Sequence, residues 1–146
     1  MPRHSIALLS MGLLVVGTAC GTGPDLTEDV NETHDLADRS AYSEVELPAE
    51  AEVVGVDPNQ MALDLFGMQE PVEGNFSETV VMVVESDDEA IVELTQTGLP
   101  DDSVEGQLYR LDFVPVGNEW QLDWAGEQWR CREDRGPQEW TTERCL

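Results

Sequence analysis

Thr79-Val80-Val81-Met82-Val83-Val84-Glu85, then Ser86-Asp87-Asp88, then Ala90-Ile91-Val92-Glu93-Leu94-Thr95, is the stretch that decides the fold. Its first run is apolar on both faces, which predicts a buried central strand. Ser86-Asp87-Asp88 is turn chemistry, because short oxygen-bearing side chains satisfy their own backbone. Beyond it, Ala90, Val92 and Leu94 alternate with Ile91, Glu93 and Thr95, the period of two that a sheet face requires. Two strands joined by a short turn make an antiparallel pair, and the rest of the domain has to be built around that pair.

Toward the C-terminus the pattern repeats. Gly98-Leu99-Pro100-Asp101-Asp102 makes a loop, after which Tyr109, Leu111 and Phe113 face one way and Leu108, Arg110 and Asp112 the other. A turn at Gly117-Asn118 leads to Trp120, Leu122 and Trp124 on one face, with Gln121 and Asp123 opposite. Ala125-Gly126-Glu127 is expected to break that strand, leaving Gln128 to Arg132 as a short fifth. Toward the N-terminus, Asp57-Pro58 is a helix start, with Asp as cap and Pro at the first helical position. Met61, Ala62, Leu65 and Phe66 share one face, and Gly67 is expected to stop the helix in a left-handed conformation. The fold class is therefore α+β. One short helix packs across a four- to five-stranded antiparallel meander within residues 53–146, an order that loosely resembles cystatin-like and NTF2-like folds.

The first twenty residues have a basic start, an apolar run from Ile6 to Val16 and the small residues Gly17-Thr18-Ala19 before Cys20. Eleven apolar residues rise about 16 Å as a helix, roughly half a bilayer core, so residues 1–19 read as a signal peptide rather than a span. Gly17-Thr18-Ala19-Cys20 resembles the lipobox of bacterial lipoproteins, which implies acylation of Cys20. Gly17 stands where that family usually has an aliphatic residue, so plain cleavage before Cys20 is the alternative. The chain has three Cys, and pairing Cys131 with Cys145 leaves Cys20 as the one that acylation accounts for. An exported chain meets oxidising conditions, where that pairing is the default. Residues 20–52 are acidic, with little apolar periodicity, and are expected to form a disordered lipid-anchored spacer.

The formal charge is −24, and all seven basic residues are Arg. Without Arg3 in the leader, six Arg face 31 carboxylates. Such a surface repels polyanions, which excludes nucleic acid as a partner. The charge is spread along the chain, as adaptation to salt or solubility would have it, whereas a metal site would concentrate it. The only histidines are His4 and His34, so the expected domain has neither His nor Lys, and it carries no nucleophile or phosphate-loop motif. No cofactor is expected, and the chain is not expected to be an enzyme. Carboxylate pairs leave a glycan or cell-wall hydrolase as an alternative. The acidic turns at residues 85–89 and 100–106 leave weak Ca²⁺ binding as another, though neither has EF-hand spacing.

The C-terminus is the most distinctive region. Trp120, Trp124, Trp129 and Trp140 fall there with Arg130, Arg132, Arg135 and Arg144. Trp129, Trp140, Arg130 and Arg132 are the candidate partner-binding residues, since exposed Trp with Arg suits contact with glycan or protein. Stacking among themselves and on the disulfide is the competing reading. Trp124-Ala125-Gly126-Glu127-Gln128-Trp129-Arg130-Cys131, followed by Gly136-Pro137-Gln138-Glu139-Trp140-Thr141-Thr142-Glu143-Arg144-Cys145, resembles the C-terminus of small uncharacterised bacterial lipoproteins, cyanobacterial ones among them. The resemblance implies export and paired cysteines and carries no activity. The expected protein is a membrane-tethered, non-catalytic module that binds an envelope protein or glycan outside the cytoplasm.

Overall fold

A computed structural model describes residues 36–47 and 53–146. The expected signal peptide, Cys20 and most of the expected spacer lie outside the described residues. Among the described residues, no helix is long and apolar enough to cross a membrane.

Asp57 caps helix α1 (Pro58–Phe66) by accepting the backbone N–H groups of Asn59 and Gln60, two donors the first helical turn leaves without partners. The helix stops at Gly67, but not as expected. Gly67 has extended backbone, φ −67° and ψ 155°. The glycine is needed for space, because a Cβ there would run into the Leu63 carbonyl. α1 turns Met61 and Ala62 into a core with Ala90, Val92, Leu111, Phe113, Leu122 and Ala125. Phe66 stacks on Tyr109 with ring centroids 4.7 Å apart.

Six antiparallel strands make the sheet beneath it: β1 (Ser43–Glu44), β2 (Val54–Gly55), β3 (Ser77–Glu85), β4 (Ala90–Thr97), β5 (Val104–Val116) and β6 (Glu119–Cys131). β3 to β6 form the expected meander, and the spatial order is β1-β6-β5-β4-β3, with β2 also on β6. The helix covers one face, here the inner face. The other is the outer face.

Three expectations need correction. First, β3 is an edge strand, not a central one, and none of its residues is fully buried. Its apolar residues divide between the inner face, where Val80 and Met82 pack against the core, and the outer face, where Val81 is 47% exposed. Second, β6 does not break at Ala125-Gly126-Glu127; the expected fifth strand is its second half. The irregularity is a bulge instead. Asp112 pairs with Trp124 and Phe113 with Leu122, so Asp123 has no partner. The extra residue shifts the phase, placing Trp124 on the outer face while Ala125 joins Leu122 in the core. Third, the spacer does not extend through residue 47. Residues 36–47 pack against the sheet, Ser43–Glu44 joining it as β1 and Tyr42 being buried. Acidity hid this, because the segment is held by a few long-range contacts rather than by a periodic apolar face.

The outer edge of β6 is closed by three separate pieces of chain. β2 pairs Gly55 with Trp120 and Val54 with Gln121. β1 pairs Glu44 with Gly126 and Ser43 with Glu127. Thr141 exchanges two backbone hydrogen bonds with Trp129, at 2.8 and 3.0 Å.

Candidate functional site

The expected binding residues converge at the end of β6. Cys131, its last residue, is joined to Cys145 with Cα atoms 5.4 Å apart, so the disulfide expected from cysteine parity is present. Trp129, however, is only 5% exposed. Its backbone is bridged to Thr141, and the Arg144 guanidinium lies 4.3 Å from its ring. Trp140 lies against the outer face at Gly106, where a Cβ would come within 3.0 Å of the ring. Arg130 stacks 4.9 Å from Trp140 and is ion-paired with Glu105 at 2.5 Å. Arg132 donates to the carbonyls of Asp101 and Leu99 at 2.7 and 2.8 Å. Of the four expected residues Trp129 is thus buried, whereas Trp140, Arg130 and Arg132 stay half-buried while engaged with their neighbours. A shallow groove of about 540 Å³ remains beside them, lined by Asp102, Glu105, Arg130, Arg132, Glu133 and Gln138. The Arg130 and Arg132 bonds already described hold its walls in place.

The most tightly built cluster is one the sequence reading missed. Arg110 and Asp112 alternate onto the outer face of β5 and are 7% and 6% exposed. They form two hydrogen bonds, at 2.7 and 3.1 Å. Residues 36–42 lie over them like a strap. Arg39 donates to Asp112 at 2.6 Å and to Asp123 at 3.0 Å, Arg110 donates to the Ala37 carbonyl, and Gln128 donates to the Ala41 carbonyl at 2.8 Å. Asp38 caps the single 3-10 turn Arg39–Ala41, and its bond from the Ser40 N–H lowers its carboxyl below the ordinary value. Tyr42 packs edge-on to Trp124, and its hydroxyl donates to Glu93 at 3.2 Å. Burial, and then the Glu93 charge, push the Tyr42 hydroxyl up to about 12. Gly126 makes room for this crossing, since a Cβ there would sit 2.8 Å from the Tyr42 Cβ and run into the Trp124 ring. One signal was available: Arg39 is the only Arg between Arg3 and Arg110.

A cleft of about 400 Å³ opens between β2 and α1, with Val54, Gly55, Val56, Met61 and Leu65 in its lining and Asp57 and Asp64 contributing carboxylates. One oxygen of Asp57 caps the helix, and one oxygen of Asp64 accepts from Gln60 at 2.8 Å. In the acidic turn at residues 100–106, Asp101 accepts from the Ser103 N–H, the Ser103 hydroxyl and the Val104 N–H. Those bonds, Val104 first, hold its carboxyl below the ordinary value. Among the described residues there is no group of three or more His, Cys, Asp or Glu side chains arranged to hold a metal ion.

The opposite border of the sheet is different. β3 pairs only with β4 and carries no further strand among the described residues. Glu70 and Glu73 before it, and Glu85, Asp87, Asp88 and Glu89 at its end, are all exposed. No family model, curated protein or solved structure matches the chain, so these surfaces have to be read on their own chemistry.

Proposed function

We propose that the chain is an exported lipoprotein, anchored through Cys20, whose domain binds and positions a partner outside the cytoplasm without catalysis. The observation that carries this reading is the Cys131–Cys145 disulfide. It accounts for two of the three cysteines and belongs to an oxidising compartment, which leaves Cys20 for acylation at the end of the leader. Binding rather than chemistry is supported by how the polar groups are used. The two best-buried ionic side chains, Arg110 and Asp112, are spent on each other and on the strap, while carboxylates crowd the exposed turns. The test is the intact mass of the detergent-extracted mature chain. A Cys20 N-terminus carrying acyl chains is expected, with Cys131 and Cys145 two hydrogens lighter than the dithiol. An unmodified Cys20 thiol, or a retained leader, overturns the anchor.

A further inference from the structure

We propose that β3 accepts an extended segment of another protein as a seventh strand, and that this segment is apolar at alternate positions with Lys or Arg at both ends. The proposal rests on the reading of the domain as a binding module and names its partner's chemistry.

The two borders of the sheet are treated in opposite ways. β6 has its outer row of backbone groups closed by β1, β2 and Thr141. β3 is nine residues long, about 30 Å, and its outer row is open among the described residues. An open row of N–H and C=O groups is a template for strand addition, with backbone bonds giving affinity and alternate side chains giving selectivity. Val81 supplies an exposed apolar side chain on the outer face at mid-strand.

Charge chooses the occupant. Between Arg39 and Arg110 the chain has seventeen carboxylates and no basic residue. Six of them bracket β3, with Glu70 and Glu73 on one side and Glu85, Asp87, Asp88 and Glu89 on the other, all exposed. A second copy of the chain would bring two such ends together. Residues 21–35 of the same chain add five more carboxylates and no Arg or Lys. The irregular register at Met82/Val84 bears on every added strand alike, so it is the charge that separates the candidates. A strand with cationic ends meets the same bulge but none of the repulsion, and gains attraction at both ends.

The test uses the purified mature protein in detergent, hydrogen–deuterium exchange, and two synthetic peptides of alternating Val and Thr. One is flanked by Lys pairs and the other by Glu pairs. The Lys-flanked peptide is expected to slow exchange in β3 by about tenfold or more, and the Glu-flanked peptide to leave it unchanged. Val81→Lys, at an exposed position, is expected to weaken the Lys-flanked peptide about tenfold without lowering the melting temperature. Asp87→Asn with Asp88→Asn should weaken it about threefold to tenfold and leave the sheet intact. The proposal is overturned by any of four results: equal binding of both peptides, protection on strands other than β3, no binding at all, or a protein dimer already protecting β3 without peptide. Acylation of Cys20 is read by mass and does not enter these outcomes, so the two readings fail separately.

Discussion

Asp112 is the residue on which most of the outer face depends. It is 6% exposed and neutralises Arg110, which is buried beside it. Removing one member of a buried pair leaves the other without compensation, so Asp112→Ala should cost about 3–5 kcal/mol in denaturant unfolding. Arg39→Ala should cost no more than about 1 kcal/mol, because Arg39 reaches the same carboxylate from a position open to solvent. Similar losses for both would show that the pair does not hold the face. Both tyrosines of the chain are held neutral: Tyr42 by burial and the Glu93 charge, Tyr109 by burial and the Glu127 charge, each up to about 12. Raised phenol groups favour the folded state fully below their unfolded value, about 10, and lose that contribution as pH rises toward about 12. Phenolate absorbance should therefore appear late and together with unfolding; a titration midpoint near 10 in the folded protein would contradict the packing. In the sequence, the alternation of Arg110 and Asp112 away from Leu111 was legible. Their burial was not, because what covers them lies some seventy residues earlier and signals itself only by Arg39.

At the scale of elements, local chemistry was read well and long-range chemistry poorly. The cap at Asp57, the turns at Ser86 and Gly117, and the buried row Ala90, Val92 and Leu94 are set by neighbours in sequence, and all are found in the fold. The exposure of β3, the bulge at Asp123 and the strap depend on which strands become neighbours, which one sequence does not encode locally. Of the candidate site, the cysteine pairing was legible by count. The burial of Trp129 was not, since Thr141 and Arg144 cover it from beyond the strand. Two predictions belong here. Cys145→Ser opens a loop whose ends are 14 residues apart and should cost about 3 kcal/mol, with a red shift of Trp fluorescence as Trp129 is uncovered. Removing residues 36–47 should bare the β6 edge at Ala125–Glu127 and uncover Trp124. Sedimentation should then show self-association that a chain retaining residue 36 onward lacks.

For the whole molecule, the charge balance is more one-sided than its count. Each Arg of the described residues is engaged within the fold: Arg39 and Arg110 with Asp112, Arg130 with Glu105, Arg144 with Glu127, and Arg132 and Arg135 with backbone oxygens. What faces solvent is largely uncompensated carboxylate. Raising salt from about 0.1 M to about 1 M shortens the screening length from about 10 Å to about 3 Å, so the melting temperature should rise over that range. A flat or falling profile would mean that repulsion does not limit stability. The closure of β6 also has a bearing on time. Ser43 waits for Glu127, Val54 for Gln121, and Trp129 for Thr141, so segments far before β6 and just after it all close on that one strand. Such distant pairings are slow to form. For the export proposed above, in which a chain passes a membrane as an extended thread, that delay is useful: the edge stays open until its keystone, β6, has been threaded.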